Sequence, residues 1–349
     1  MTIAQHSVVA LLAASLFAMG CGGTAENSAS PPASSSAGAA PSPSAPASAV
    51  VATREVAPQH RPQSDIEFLA AFDLKQAPPP VSPQLRHGIE ATTADWPASL
   101  YVTFSTPGGT AACTAALIGP EVMLTAAHCV PVQGGVTFKY KGQPKSYVAT
   151  CTQHPQYVSN ADPSADYALC KLDRKFAEFP GFLYETVDTA AMASRLNQTV
   201  VLTGFGCVSD ISGAGPPDGK YRIGTNVIDQ TSASPVNPAF GAALYAGSQD
   251  NNLFTLDDPE LANLCPGDSG GPALVASTAD FKKRVLVGVN SRVFYRDATR
   301  TTYGASLVSS TGTSEFIDWA KKWADPVPAD PTKKIAVCGL SGSPARCRS

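Results

Sequence analysis

The sequence predicts an all-β protein that ends in a single helix. Three observations carry this. Short β-rich runs recur from Trp96 to about Val308; Gly, Pro, Asn and Asp separate them; and one helical pattern follows at 313–324. Many short strands with turns between them argue for a barrel or a sandwich. A length of 349 residues allows one large domain or two ordinary ones.

In chain order, "SVVALLAASLFAMG" (7–20) is an apolar run too short for a comfortable membrane span, so residues 1–20 read as an export signal peptide. Cys21 directly follows the small residue Gly20, which suggests a lipoprotein signal with Cys21 lipidated. Ala18 and Gly20 also fit ordinary signal cleavage, and both outcomes stay open. Residues 21–52 are a Pro/Ala/Ser-rich linker that cannot bury a core. In residues 53–84, "DIEFLAAFDL" has some helical periodicity and "QAPPPVSPQ" breaks it. The strand candidates are "SLYVTF", "AALIG", "VMLTAA", "VTFKY", "YALCKL", "TVVLTGFG" and "RVLVGVNS". "TSEFIDWAKKWA" opens on a Thr or Ser cap with Glu315 close behind, the start signal of a helix. Residues 325–349 form a tail with no legible role. A net charge of −3 and a pI near 6.0 offer no basic stripe for nucleic acid.

Three polar residues stand out from this background. His128 sits at the end of an apolar run, "EVMLTAAHCV", where an arbitrary histidine reads first as a satisfied core residue. Asp162, before a proline, is a turn acid, whereas Asp166 opens an alternating strand. An acid there can accept a hydrogen bond from an imidazole and fix its tautomer. Ser269 lies in "CPGDSGGP", either an ordinary turn or a nucleophile in a tight loop.

Together "TAAHC" (125–129), "DYALCKL" (166–172) and "CPGDSGGP" (265–272) resemble the trypsin/chymotrypsin family of serine peptidases. Weaker support comes from "TGFG", "LVGVNS" and "FIDW", and the resemblance covers about 85–324. With the lipoprotein-type signal, the chain reads as an exported bacterial member. The resemblance implies two six-stranded antiparallel barrels with a C-terminal helix. It implies a triad of His128, Asp166 and Ser269, and an oxyanion hole from the N–H groups of Gly267 and Ser269.

It further implies that residues 53–84 are a pro-segment. Its removal would free an α-amino group on Leu85 to pair with Asp268. "LRHGIEATTADWP" (85–97) resembles the family's mature start, although Leu replaces the preferred Ile or Val. Gln84 precedes it, so an activator of tryptic specificity is not indicated. The specificity pocket would involve Asn263, Leu264, Ser291 and Val293. Asn263 stands where Arg- or Lys-preferring relatives carry Asp. Leu264 and Val293 are larger than usual, which favours a small or medium apolar side chain before the scissile bond.

Nine cysteines become eight if Cys21 takes lipid, and eight allow 105 pairings. The resemblance implies Cys113–Cys129 and Cys151–Cys170. The usual family partner of Cys265, downstream of "LVGVNS", is missing before Cys338, so Cys207–Cys265 is expected as a departure from the common animal pattern, and Cys338 and Cys347 remain to close a loop in the tail. Such bridges belong to an oxidising compartment. No metal and no cofactor are expected: there is no C-x-x-C, and "GGVTFKYKGQPKSY", where relatives hold calcium, lacks Asp and Glu.

The expected function is an exported serine endopeptidase, made as a zymogen and not tryptic in preference. The alternatives are a non-catalytic binding protein on the same fold and an esterase. Expected partners are a protein or peptide substrate, an activating protease, and a membrane through lipid on Cys21. A monomer is expected. The location would be the outer membrane or cell surface, or alternatively the medium after ordinary secretion.

Overall fold

The computed structural model describes residues 85–349 apart from 92–94, 107–108, 131–134, 141–144, 158–162, 178, 208–218, 234–250, 278–279, 297–301, 327–329, 342–345 and 349. Residues 1–84, where a signal, a linker and a pro-segment are expected, lie outside the described residues, Cys21 among them.

The first half is a closed barrel of six strands. They are β2 (Ser99–Thr106), β3 (Gly109–Gly119), β4 (Val122–Thr125), β5 (Gly135–Phe138), β6 (Tyr147–Gln153) and β7 (Ala168–Leu172). Their order around the barrel is β2-β3-β4-β7-β6-β5, all antiparallel where paired. β5 alternates exposed and buried residues, as a strand with one wet face must. β4 is buried throughout, and its sequence "VMLT" is accordingly a nearly unbroken apolar run.

The second half is one sheet of eight strands. β1 (Ile89–Glu90) and β10 (Gln230–Thr231) are two-residue edges. The longer six are β8 (Thr199–Gly204), β9 (Arg222–Val227), β11 (Asn252–Leu256), β12 (Pro272–Ser277), β13 (Asp280–Tyr295) and β14 (Tyr303–Ser310). They run in the order β1-β9-β8-β12-β13-β14-β11-β10. β14 is buried along its whole length, and its small residues Gly304, Ala305 and Ser306 suit that crowding. So the all-β expectation holds: among the described residues one six-stranded barrel is closed, a second antiparallel sheet follows, and the arrangement is consistent with a chymotrypsin-like fold.

The helix α1 (Ser314–Ala324) begins where the sequence predicts. Thr313 caps it by accepting the Phe316 N–H at 3.3 Å. Phe316, Ala320 and Ala324 are its buried face. Trp319 packs on His154 with ring centroids 4.8 Å apart, and Phe316 on Tyr167 at 4.9 Å. The helix therefore braces the segment that leads to Asp166. His154 is a buried packing residue, and its Nε2 lies 3.3 Å from the Glu315 carbonyl.

The tail is part of the fold. Cys338 pairs with Cys347, and the Cys338 N–H donates to Ile118 of β3 at 2.8 Å. Arg348 lies 3.4 Å from Glu185 in the connection between the two halves. Glu185 is itself paired at 2.6 Å with Arg284 of β13, both wholly buried, and Arg284 stacks 3.7 Å over Trp96. One carboxylate thus ties together the connection, the second sheet and the tail.

Candidate active site

His128 lies in a 3-10 turn (Ala127–Cys129) that follows β4. A disulfide from Cys129 to Cys113 of β3 pins that turn. Asp166 stands two residues before β7. β4 and β7 are neighbours, with Thr125 opposite Ala168, so both side chains leave the same end of the barrel. His128 Nδ1 lies 2.7 Å from Asp166 Oδ2, and the His128 backbone N–H donates to Oδ1 at 2.9 Å. The Ser291 hydroxyl donates to Oδ2 at 2.6 Å. With an ionised partner Nδ1 carries the proton, which leaves Nε2 as the basic nitrogen.

Burial pushes both partners toward neutrality, and their mutual attraction outweighs it. For His128, burial lowers the pKa, but the Asp166 charge and hydrogen bond raise it above 6.5, with Arg292 lowering it in turn. For Asp166, burial raises the pKa. The His128 charge and the bonds from His128 and Ser291 bring it below 3.8. The pair is held as an acceptor beneath a protonatable base.

Ser269 sits in the loop that leads into β12. Thr114 of β3 anchors this loop. Its N–H donates to the Ser269 carbonyl at 2.8 Å and its hydroxyl to the Gly267 carbonyl at 3.1 Å. Thr125 in turn donates to the Thr114 carbonyl at 2.8 Å, joining the histidine strand to the same anchor. Gly270 has φ +83, and a Cβ there would stand 2.1 Å from both the Thr114 carbonyl and the Thr125 hydroxyl. Only glycine allows that approach. Ser269 Oγ donates to the Ser291 carbonyl at 3.3 Å. Gly267 has φ +101. Among the described residues no protein acceptor takes the N–H of Gly267 or Ser269.

His128, Asp166 and Ser269 line one cavity of about 340 Å³, together with Leu264, Ser291 and Val293. A serine hydroxyl and an imidazole oriented by a buried carboxylate share one cavity, with the N–H groups of Gly267 and Ser269 in the loop that carries the serine; these are groups of the kind that acyl transfer uses.

Comparison with known proteins agrees with this geometry. A family model described as Trypsin matches residues 85–320. The chain belongs to the trypsin family of serine peptidases. It is 26% identical over 198 residues to trypsin theta of Drosophila melanogaster, covering 54% of this chain and 70% of that protein. It is 25% identical over 187 residues to kallikrein-8 of Mus musculus, covering 51% and 65%.

Within this trypsin-family frame the remaining sequence candidates fall as follows. Cys207–Cys265 and Cys151–Cys170 are joined, as are the two pairs already described, and Cys207–Cys265 holds the start of the nucleophile loop. The trio Cys113, His128 and Cys129 comes close together, but both sulfurs are in a disulfide, so the cluster does not offer thiolates to a metal. Leu85 is wholly buried with φ +40, in one apolar cluster with Leu202 of β8 and Leu264 of the loop before β12.

Asp268 is also wholly buried. It accepts the N–H groups of Gly206 and Cys265, each at 2.9 Å. Burial pushes its pKa up to about 7, against the pull of those two bonds and of Arg222. Leu264, Ser291 and Val293 line the cavity, but Asn263 does not. Its amide donates to the Asp258 and Leu261 carbonyls at 3.2 and 3.0 Å, and its oxygen accepts from Asn226 at 3.3 Å. A buried amide with those partners is held inside its own loop.

Two contributors had weak signals or none. Thr114 has no motif of its own. Ser291 is legible as pocket wall, but not as the third donor to Asp166. Strand β13 slips by one residue against β14 between Asn290 and Arg292, and that bulge presents Ser291. Among the described residues no helix is long and apolar enough to cross a membrane.

Proposed function

We propose that the chain is an exported serine endopeptidase that works through an acyl-enzyme. The observation that carries this is the His128–Asp166 bond at 2.7 Å in the same cavity as Ser269. Ser269 Oγ attacks the scissile carbonyl while His128 Nε2 takes its proton. The N–H groups of Gly267 and Ser269 receive the negative charge on the carbonyl oxygen, each donor being typically worth about 10²–10³ in rate. His128 then gives the proton to the leaving amine. Water, deprotonated by the same base, releases the acyl group and restores Ser269.

Asn263 brings no negative charge to the pocket, and Leu264 and Val293 are apolar, so the preferred residue before the scissile bond is small or medium and apolar. The zymogen reading rests on Leu85 and Asp268. Both are buried, and a cut after Gln84 would supply an amine for an acid that burial disfavours. The activating protease is then a partner, with a preference other than tryptic. Export, lipid on Cys21 and a linker over residues 21–52 rest on the sequence alone.

A fluorophosphonate probe and a peptide library test the reading together. The activated protein should label at Ser269 and cleave peptides. Ser269→Ala should lose both with its unfolding midpoint nearly unchanged. A chain that never labels is a binding protein, and one that labels but cleaves only esters is an esterase.

A further inference from the structure

The catalytic pair uses one end of the barrel, and the other end has a different surface. His128 follows β4 and Asp166 precedes β7, where Thr125 stands opposite Ala168. At the far end of the same two strands, Val122 stands opposite Lys171. β5 ends there and β6 begins there, with Phe138 opposite Tyr147. This far end gathers cations. Lys139 follows β5, Lys145 precedes β6, Lys171 is the outward residue of β7, and Arg174 and Lys175 follow that strand. Arg174 donates to the Lys145 and Ser146 carbonyls at 3.2 and 3.1 Å, which holds the strand ends together. All four lysines are exposed, and among the described residues none of them forms an ion pair. Asp173 is already engaged: it pairs with Arg174 at 2.9 Å and accepts the Val148 N–H at 3.3 Å. Glu121, in the turn before β4, is half-buried.

The same end exposes apolar surface. Val148 is 45% exposed and Phe179 is 38% exposed, and they are the exposed large apolar side chains among the described residues. Val148 is the second residue of β6 and points outward beside Thr137. The Phe179 ring lies 6.1 Å from that of Tyr140, the neighbour of Lys139, and 5.3 Å from that of Phe182. A single exposed apolar residue is ordinary. Two of them set among unpaired lysines match the two layers of a membrane surface, anionic headgroups and the acyl boundary beneath. A soluble polyanion would engage the lysines and gain nothing from Val148 and Phe179.

We propose that this end of the barrel docks on an anionic lipid surface, with the lysines on the headgroups and Val148 and Phe179 at the acyl boundary. Docking there turns the opposite end, with His128 and Asp166, away from the membrane and leaves the cavity open to a substrate. If Cys21 carries lipid, this face is the second signal, since one acyl chain alone holds a protein only marginally. Each lysine close to an anionic surface is worth about fivefold in partitioning.

The test is co-sedimentation with vesicles of the full chain carrying Ser269→Ala and Cys21→Ser, so that neither cleavage nor lipid on the protein intervenes. Vesicles of phosphatidylcholine alone are compared with vesicles holding about one third phosphatidylglycerol. The protein should bind the anionic vesicles and not the neutral ones, and salt of about 0.5 M should release it. K145Q and K171Q should each weaken binding by about fivefold. K283Q removes the same charge from an exposed position on β13 and should leave binding at the parental level. V148S and F179S should each weaken it by about fourfold or more, the worth of one buried methylene. Val148 lies on the outer face of a strand, so V148S keeps the test open if F179S disturbs folding. Absence of binding to anionic vesicles at low salt, equal binding to neutral ones, or a K283Q loss as large as that of K171Q would overturn the proposal. So would lysine variants that weaken binding while V148S does not, an outcome that assigns the face to a soluble polyanion. No step uses hydrolysis, so the result stands apart from the peptidase reading.

Discussion

Asp268 gives the sharpest test of activation, because the two forms of the chain should differ in how stability depends on pH. In the uncut chain its pKa is pushed up to about 7 from an ordinary 3.8, so the folded state holds the proton more tightly than the unfolded state. The stabilisation from that proton is complete below pH 3.8 and is lost as pH rises through about 7. A gap of about three pKa units corresponds to about 4 kcal/mol. For a domain of this size that is roughly 8–16 °C in unfolding midpoint.

A cut after Gln84 supplies an ammonium on Leu85. If it pairs with Asp268, the folded-state pKa drops and the loss between pH 4 and 8 disappears. The assay is urea unfolding of cut and uncut Ser269→Ala protein across that range. Groups common to both forms, His128 and Asp166 among them, cancel in the difference. Asp268→Asn should flatten the uncut curve toward the cut one. Parallel curves for cut and uncut protein would refute the pairing, as would an uncut Asp268→Asn chain that keeps the full slope.

Two further outcomes follow from buried charge. The acid limb of kcat/KM should have its midpoint above 6.5, because the Asp166 charge and bond outweigh burial at His128 and the base must be neutral to work. Asp166→Asn leaves burial unopposed and should move that limb to lower pH; a parental limb below 6.5 would contradict the assignment. Glu185→Ala strands the buried Arg284 and Arg348 without their carboxylate, a loss of about 3–5 kcal/mol by analogy with broken buried pairs. Denaturant unfolding measures it, and a loss under about 1 kcal/mol would mean the pair behaves like a surface one.

The sequence by itself determined the elements whose signals are local. β4 reads as a strand because burial on both faces demands a nearly unbroken apolar run, and β7 because an alternating run follows Asp166. The helix at 313–324 was legible because its cap, first-turn acid and apolar face lie within one short window. His128, Asp166 and Ser269 each sit in a compact motif, and their resemblance to one family carried the reading further than strand pattern could. Strand pattern alone left a barrel and a sandwich equal, because both bury one face of each strand.

Only the tertiary structure decided what depends on pairing between distant segments. Thr114 anchors the nucleophile loop across 153 positions of chain, and Ser291 reaches Asp166 across 125. Neither partner carries a local mark of the other. The inward turn of Asn263 depends on which carbonyls its loop presents, and the placing of Ser291 on a single bulge in β13. The tail reads as an appendage until its Arg348 is seen to meet Glu185. A buried charge must find its counter-charge wherever the fold brings one, and sequence distance has no bearing on that requirement.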